Sequence, residues 1–154
     1  MSPINLQLPS GGRTFHGLIL DFTGTLSLDG ILLPGVASRL QALSRSLQIT
    51  VLTADTFGTA KETLAGLPLE VRLIRDGAEK AEAVASLDPG GIIAIGNGRN
   101  DVAMLAAAEL GIAILGPEGV ASELLTAADV VVSDINDALD LILHPLRLKA
   151  TLRD

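Results

Sequence analysis

The sequence predicts an α/β fold in which a doubly wound parallel sheet lies between two layers of helices (three layers, αβα). Short apolar runs bounded by Gly, Asp or Thr recur along the chain, and such runs are typical of strands buried on both faces. Segments with helical periodicity alternate strictly with these runs, which indicates right-handed βαβ crossovers. The 154 residues fit one domain, and a 48% hydrophobic content with only three Phe and no Trp or Tyr favours an aliphatic core.

The predicted elements follow one another without an interdomain linker, so residues 1–154 are expected to form a single domain. Buried strands are predicted at 18–20, 49–52, 71–74, 92–95, 112–115 and 130–132, and helices at 36–46, 58–65, 78–86, 101–109, 121–127 and 135–143. Residues 1–16 are predicted to add a small hairpin at an edge of the sheet. The tail from His144 onward is expected to be a solvated end or a subunit contact.

Composition limits the expected partners and location of the protein. The net charge is −7 and basic runs are absent from the sequence, so neither nucleic acid nor an anionic membrane is an expected partner. No apolar run approaches the roughly 20 residues that span a bilayer, and the chain has no cysteine. We therefore expect a cytoplasmic protein. The mean hydropathy of +0.47 is compatible with a homo-oligomer that covers apolar surface.

Polar side chains follow four of the predicted strands at their carboxyl ends. These residues are Asp21 after the first strand, Thr53 and Asp55 after the second, Arg75 and Asp76 after the third, and Asn97, Asn100 and Asp101 after the fourth. Ligands of open parallel sheets bind outside the carboxyl ends of the strands. The sequence therefore predicts that these side chains converge on one crevice.

The segment LILDFTGTL, residues 18–26, has the features of a nucleophile site. A carboxylate that directly follows a buried strand loses hydration unless a cation or hydrogen-bond donors compensate it. Asp21 could attack phosphorus and form an aspartyl phosphate, while Gly24 permits a tight turn and Thr23 and Thr25 offer hydroxyl groups. The alternative is that Asp21 only caps a turn.

Two further segments offer groups that suit phosphate. Thr53 is expected to bind a phosphate oxygen, whereas Asp55 and Thr56 are more typical of a helix cap. Lys80, near the start of a helix, is by itself a typical solvated lysine. If it reaches the crevice, its ammonium group would offset the charges of Asp21 and of a phosphate.

The segment IAIGNGRNDVAML, residues 93–105, predicts a metal site. Asn97, Asn100 and Asp101 present oxygen ligands, and Mg²⁺ is commonly held by one or two carboxylates together with waters and substrate phosphate. Asp21 and Asp101 fit that pattern, so Mg²⁺ is the predicted cofactor. A dinucleotide-binding loop is the alternative. It is disfavoured because Asp101 stands at the third glycine position and the loop follows the fourth strand.

Together, DFTGTL, Thr53-Ala54-Asp55, Lys80 and GNGRND resemble the haloacid dehalogenase-like (HAD) superfamily, and within it the phosphorylation domain of P-type ATPases. Through DFTGTL, TADTFGTA and GNGRNDVAML the chain is most similar to the free-standing group called soluble P-type ATPases. The resemblance implies a Rossmann-like core and a set of roles. Asp21 would be the nucleophile, Thr53 would bind the phosphoryl oxygen, Lys80 would stabilise charge, Asp101 and the main-chain carbonyl of Thr23 would hold Mg²⁺ with Asp21, and Gly24, Ala54, Asn97 and Asn100 would support the phosphate.

Departures from the superfamily pattern shape the expected activity. Most phosphatases of the superfamily have a second Asp at the position of Thr23, and a hydroxyl is a poor general base near neutral pH. We therefore predict slow hydrolysis or a persistent phosphoenzyme. Asn97 replaces an Asp often found there, which reduces the negative charge near the metal. The stretches 25–49 and 75–92 are too short for a cap domain, so we expect an open site for a small or macromolecular phosphorylated substrate.

Two functions remain open from the sequence. The first is a Mg²⁺-dependent phosphohydrolase that acts through Asp21. The second is a phosphoacceptor or regulatory domain that is phosphorylated on Asp21 without significant turnover. ATP hydrolysis is not implied, because the chain has no room for a separate nucleotide domain.

Overall fold

A computed structural model describes residues 2–55 and 58–154, so the predicted capping role of Thr56 lies outside the described residues. The described chain forms ten strands: β1 (Ile4–Leu8), β2 (Gly11–Phe15), β3 (Gly17–Asp21), β4 (Ser27–Leu28), β5 (Ile31–Leu32), β6 (Gln48–Thr53), β7 (Glu70–Leu73), β8 (Ile92–Gly96), β9 (Leu110–Ile114) and β10 (Val130–Val132). Six of them form one parallel sheet in the order β10-β9-β8-β3-β6-β7. The predicted doubly wound sheet is confirmed, with β3 at its centre.

Side chains of the central strand alternate between two hydrophobic layers. Leu18 and Leu20 pack into one layer and Ile19 into the other, as the two-residue period of a strand requires. All five residues of β3 are buried. A strand covered on both faces has little freedom to shift its register. The position of Asp21 at its carboxyl end is therefore fixed by packing.

Seven helices cover the two faces within the described residues. They are α1 (Val36–Leu43), α2 (Ala60–Thr63), α3 (Gly77–Ser86), α4 (Val102–Ala107), α5 (Leu124–Ala127), α6 (Ile135–Leu143) and α7 (Pro145–Leu152). Helices α1, α2, α6 and α7 contribute buried residues to the layer of Leu18, whereas α3, α4 and α5 contribute to the layer of Ile19. The three-layer αβα arrangement follows.

Several predicted helix bounds are too wide. Helix α1 ends at Leu43 rather than at residue 46, α2 covers only Ala60–Thr63, and α5 begins at Leu124. The expected start of α4 at Asp101 is replaced by a 3₁₀ turn, Arg99–Asp101, which leads into the helix at Val102. Helical periodicity continues into turns of similar composition, so the sequence pattern does not mark the ends sharply.

The C-terminal tail is not simply a solvated end. Pro145 occupies the first turn of α7, where its fixed φ favours helix formation. The helix packs against α6 and β1, with Leu148 2% exposed. In the part of the chain that the structure describes, β1 and β2 pair only with each other, so the N-terminal hairpin is a separate two-stranded sheet and does not extend the edge of the main sheet.

A second hairpin, β4–β5, was not predicted and lies directly after the strand that carries Asp21. Its turn residues, Asp29 and Gly30, have φ angles of 52° and 82°. Two consecutive positive φ values are typical of the tight turns that join hairpin strands. Among the described residues this hairpin is the only strand pair between Asp21 and α1, and α3 is the only α-helix between β7 and β8. Neither segment holds a cap domain. Within the same described ranges, no helix has the length and apolar character needed to cross a membrane.

Candidate active site

Asp21 lies where β3 ends, between β6 and β8. Its side chain is largely buried, and the chain turns sharply after it because the N–H groups of Thr25, Leu26 and Ser27 all donate to the carbonyl of Phe22. Gly24 has a φ of 77°, and a Cβ at this position would lie 2.5 Å from Nδ2 of Asn97. Only glycine meets both demands. The turn thus brings the first motif against the fourth.

Lys80 is fully buried and connects the two motifs that carry carboxylates. Its Nζ donates to Oδ1 of Asp21 at 2.8 Å, to Oδ1 of Asp101 at 2.6 Å and to Oδ1 of Asn100 at 3.4 Å. The side chain reaches this point from the first turn of α3. All three ammonium protons therefore have acceptors, and Lys80 is not a solvated surface lysine.

The close approach of α3 to the GNGRND loop depends on two local features. Asp76 begins the helix by accepting a hydrogen bond from the N–H of Glu79 at 3.0 Å. A Cβ on Gly77 would lie 2.7 Å from the carbonyl oxygen of Asn100. The absence of a side chain at Gly77 lets the helix pack against this loop, which brings Lys80 within reach of both carboxylates.

Asp101 is 0% exposed, and its two oxygens accept hydrogen bonds from different groups. Oδ1 accepts from Lys80, whereas Oδ2 accepts from the N–H groups of Asn97 at 3.1 Å and Gly98 at 3.0 Å. The carboxylate therefore fixes both the loop backbone and the ammonium group. It lies behind the residues that form the wall of the site.

The buried groups of the site carry more negative than positive charge. Burial raises the pKa of Asp21 to about 7, and the nearby Asp101 carboxylate adds to this rise, although Lys80 opposes it. For Lys80, burial acts to lower the pKa, but the charges of Asp21 and Asp101 outweigh it, and the pKa lies above its ordinary value. One buried cation thus serves two carboxylates, which leaves an excess of negative charge.

These groups lie below a cavity of about 220 Å³ that opens at the carboxyl edge of the sheet. The cavity is lined by Asp21, Thr23, Thr53, Ala54, Asn97, Gly98, Asn100 and Glu118. Six predicted site residues are therefore brought together in its wall. Gly24, Lys80 and Asp101, the other three, support the wall from behind.

The residues of the second motif, Thr53-Ala54-Asp55, differ in position: Thr53 lines the cavity, whereas Asp55 contacts the helix that follows. Thr53 is 1% exposed, and its Oγ1 accepts a hydrogen bond from the N–H of Asp55 at 2.9 Å, which leaves the hydroxyl proton for another acceptor. Asp55 accepts from the N–H of Ala60, the first residue of α2, at 2.9 Å. Asp55 therefore contacts the start of α2 as expected of a capping residue, but the N-cap position itself is occupied by Thr59, and Thr53 lines the cavity.

Not all polar residues at strand ends join the site. Arg75 is 89% exposed and forms an ion pair with Glu79 at 2.5 Å, and Asp76 caps α3. The prediction that Arg75 and Asp76 converge on the crevice is wrong. Strand β7, which precedes Arg75 and Asp76, lies at the edge of the sheet, and the chain after it continues into the capping turn of α3.

Three contacts of the site were not predicted from the sequence. Thr25 Oγ1 donates to Oδ1 of Asn97 at 3.1 Å, and Asn97 Nδ2 donates to the carbonyl of Gly119 at 3.0 Å. Next to Gly119, Glu118 lines the cavity, and its Oε2 accepts from the N–H of Asp29 at 3.1 Å. The sequence did contain a signal for Glu118. This residue lies in the loop after a predicted strand, and loops at the carboxyl ends of parallel strands form the binding crevice.

A family model described as haloacid dehalogenase-like hydrolase matches residues 62–142, which is more than half of the chain. The chain belongs to the haloacid dehalogenase-like hydrolases. This confirms the family predicted from the motifs. The matched span contains Lys80 and the GNGRND loop, and Asp21 lies outside it.

Similar proteins extend this comparison. An uncharacterised protein of Methanocaldococcus jannaschii is 59% identical over 63 residues, which are 41% of this chain and 68% of that protein. A similar fold is found in the 3-deoxy-D-manno-octulosonate 8-phosphate phosphatase of Moraxella catarrhalis, whose structure contains magnesium and phosphate ions. The TM-score is 0.72 at 16% identity, and the match covers 89% of this chain and 90% of that chain. The catalytic domain of the CPx-ATPase CopB-B gives a TM-score of 0.61 at 28% identity, covering 72% of this chain and 45% of that chain.

Proposed function

We propose that this HAD-like hydrolase is a Mg²⁺-dependent phosphohydrolase that forms an aspartyl phosphate on Asp21. The observation that carries the proposal is the arrangement of the two oxygens of this carboxylate. Oδ1 accepts from Lys80 at 2.8 Å, whereas Oδ2 accepts a longer hydrogen bond from Thr25 at 3.4 Å as its one side-chain contact within the described residues. One oxygen is oriented and the other is available to attack phosphorus, as a carboxylate nucleophile requires.

The cavity wall offers groups that suit a phosphoryl group. The hydroxyl of Thr53 has a proton to donate, and Oγ1 of Thr23 is buried without a hydrogen-bond partner among the described residues. A buried hydroxyl of this kind is costly unless a ligand or water satisfies it. Both threonines line the same cavity as Asp21, so their hydroxyls are the proposed donors to a bound phosphoryl group.

The charge balance supports a cation cofactor. Asp21 and Asp101 share Lys80, so the three groups together carry one net negative charge when both carboxylates are ionised. An incoming phosphate would add to this surplus. The donors at the cavity are carboxylate, carboxamide and carbonyl oxygens, which are the hard ligands that Mg²⁺ prefers. The residues present therefore fit Mg²⁺.

Asp21 and the main-chain carbonyl of Thr23 are the protein groups proposed to hold the ion. Asp101 is the third ligand that the family resemblance implies. Its Oδ2 already accepts two backbone N–H groups, whereas its Oδ1 accepts only from Lys80 and keeps a lone pair. Asn97 lines the cavity, and its Oδ1, which accepts from Thr25, is a carboxamide oxygen of suitable chemistry. When bound, Mg²⁺ would neutralise charge on the phosphoryl oxygens.

We infer that dephosphorylation is slow, because Thr23 stands where most phosphatases of the family have a second Asp. Replacing Thr23 by Asp would add a carboxylate to the cavity wall. Since a well-placed general base contributes about 10²–10⁴-fold, T23D is expected to raise phosphate release by at least about tenfold. A release rate for T23D equal to that of the unmodified chain would contradict the missing-base argument.

The direct test is incubation of the purified protein with Mg²⁺ and acetyl phosphate, p-nitrophenyl phosphate or ATP. Phosphate release and the intact mass of the acid-quenched protein are measured together. Asp21→Asn is the test variant, and Asp88→Asn is its matched control. Asp88 is exposed and precedes β8, so it lies at the amino ends of the strands, opposite the cavity. Release or labelling that D21N abolishes and D88N retains supports the proposal.

The same experiment separates the two candidate functions. Steady release that exceeds one phosphate per chain is expected of a phosphohydrolase, whether or not label accumulates. Stoichiometric label with almost no release would instead favour the phosphoacceptor domain, for which the hydroxyl at Thr23 is the supporting observation. The absence of both signals in folded protein would contradict the proposed function with these three phosphate donors. The cavity mouth has no covering domain in the described residues, which suits either a small or a macromolecular substrate.

A further inference from the structure

We propose that Glu118 is the general base that deprotonates the water which hydrolyses the aspartyl phosphate on Asp21. This inference rests on the proposed function and assigns the proton acceptor that Thr23 cannot provide. Glu118 lies in the loop between β9 and α5, outside every motif that identified the site. It is brought to the cavity only by the fold.

The loop that carries Glu118 is fixed on both sides of this residue. Asn97 Nδ2 donates to the carbonyl of Gly119 at 3.0 Å, and the N–H of Ala121 donates to the carbonyl of Asn97 at 2.8 Å. Across the cavity mouth, the N–H of Asp29 in the β4–β5 turn donates to Oε2 of Glu118 at 3.1 Å. The loop is therefore tied to the GNGRND loop, and the Glu118 carboxylate itself is tied to the hairpin.

Elimination within the described residues of the cavity wall leaves one candidate base. Asp21 and Glu118 are its only ionisable side chains, and Asp21 carries the phosphoryl group in the intermediate. Behind the wall, Lys80 is a cation, and Asp101 has both oxygens in hydrogen bonds. A hydroxyl such as that of Thr23 accepts a proton poorly near neutral pH.

The position of Glu118 also fits the direction of attack. Asp21 is 6% exposed at the bottom of the cavity, whereas Glu118 is exposed at its rim. Water enters from the rim, and displacement at phosphorus places the attacking and leaving oxygens roughly in line. The leaving oxygen is that of Asp21, so the attacking water lies on the side of the phosphoryl group that faces Glu118.

The step balances with water as the only co-reactant. A carboxylate oxygen of Glu118 takes one proton from water as the remaining hydroxide oxygen bonds to phosphorus. The bond between phosphorus and the Asp21 oxygen breaks, and its electron pair returns to the Asp21 carboxylate. The products are HPO₄²⁻, ionised Asp21 and protonated Glu118, which then loses its proton to solvent.

The test variant is Glu118→Gln, because a carboxamide oxygen can still accept the N–H of Asp29 but cannot act as a base at neutral pH. With acetyl phosphate and Mg²⁺, E118Q is expected to form the phosphoenzyme and to lose it about 10²-fold more slowly, at the low end for a general base because the site is exposed. Asp29→Asn is the matched control. It removes one negative charge at the same mouth, keeps the donating N–H, and Asn tolerates the positive φ of that turn.

A second variant gives a readout that a structural role would not produce. Thr23→Asp supplies another carboxylate in the cavity, and we expect it to raise the dephosphorylation rate by a larger factor in E118Q than in the unmodified chain, because only E118Q lacks its base. Equal factors in the two backgrounds would overturn the proposal. A normally labelled E118Q whose phosphoenzyme decays within twofold of the unmodified protein would overturn the proposal for Glu118 and leave the proposed function intact. So would an equal slowing in D29N, since only charge would then matter. The absence of both label on the unmodified chain and phosphate release by it would instead overturn the proposed function, and Glu118 with it.

Discussion

Replacing Lys80 by Met is expected to destabilise the protein strongly. The ammonium group is fully buried, and its three protons are used by Asp21, Asp101 and Asn100 at 2.8, 2.6 and 3.4 Å. Methionine fills a similar volume but leaves two buried carboxylates without their shared cation. Hydrogen bonds to charged groups contribute about 1.5–3 kcal/mol each, and removing one partner of a buried ion pair costs about 3–5 kcal/mol.

The loss for K80M should therefore be about 3–5 kcal/mol, a large share of the roughly 5–15 kcal/mol that stabilise an ordinary domain. Urea unfolding at neutral pH with EDTA, followed by circular dichroism, measures this free energy. Lys149→Met is the matched control, because Lys149 is exposed in α7 and surface changes usually stay within about 0.5 kcal/mol.

A second variant tests whether charge, rather than packing, causes the loss. Adding Asp21→Asn to K80M removes one of the two unpaired carboxylates, so the double variant should be more stable than K80M alone. The reasoning is refuted if K80M unfolds at the same urea concentration as K149M, or if D21N brings no recovery. In either case the buried ammonium would not be what compensates the carboxylates.

Three further outcomes are expected. Gly24→Ala should cost at least about 1–2 kcal/mol in urea unfolding, since alanine disfavours a φ of 77°, and should lower activity because the new Cβ displaces Asn97. Leu139→Ala, in the buried face of α6, should cost about 2–5 kcal/mol by the same assay. A hydrogen bond from Arg39 lowers the pKa of Asp140, so this carboxylate stabilises the fold above its unfolded pKa of about 3.9 and loses that effect as the pH falls through the lower folded value. The stability difference between the unmodified chain and Asp140→Asn should therefore be present near pH 6 and shrink on acidification.

The sheet could be predicted because its strands are buried on both faces. A run such as Ile92–Gly96 has no polar position that could face solvent, and alternation with helices then fixes the parallel connection. Helix ends were predicted less well, since they depend on single capping contacts. The helix α7 was missed because its apolar face rests on β1 and α6, a surface that exists only after folding.

Some residues of the site could be predicted from the local sequence pattern, whereas others are placed only by long-range contacts. Asp21, Thr53 and Asn97 follow strands, and the strand pattern alone predicts that they meet. The burial of Lys80 follows from the packing of α3 against the Arg99–Asp101 turn. No property of the helix sequence itself distinguishes Lys80 from a solvated lysine. Glu118 reaches the cavity through the contact between Asn97 and Gly119, two residues 22 positions apart.

The arrangement around Asn97 links the chemistry of the site to the shape of its mouth. This carboxamide receives a hydrogen bond from Thr25 and donates to the carbonyl of Gly119, so it joins the turn after Asp21 to the loop that carries Glu118. A carboxylate at this position could not donate to a carbonyl. Asn97 therefore has a positioning role that Asp cannot fill in this arrangement. Asn97 in place of Asp lowers the negative charge at the proposed metal site, and the same side chain holds the loop of the proposed base over the cavity. This double effect gives a physical reason for finding Asn97 and Glu118 together in this chain.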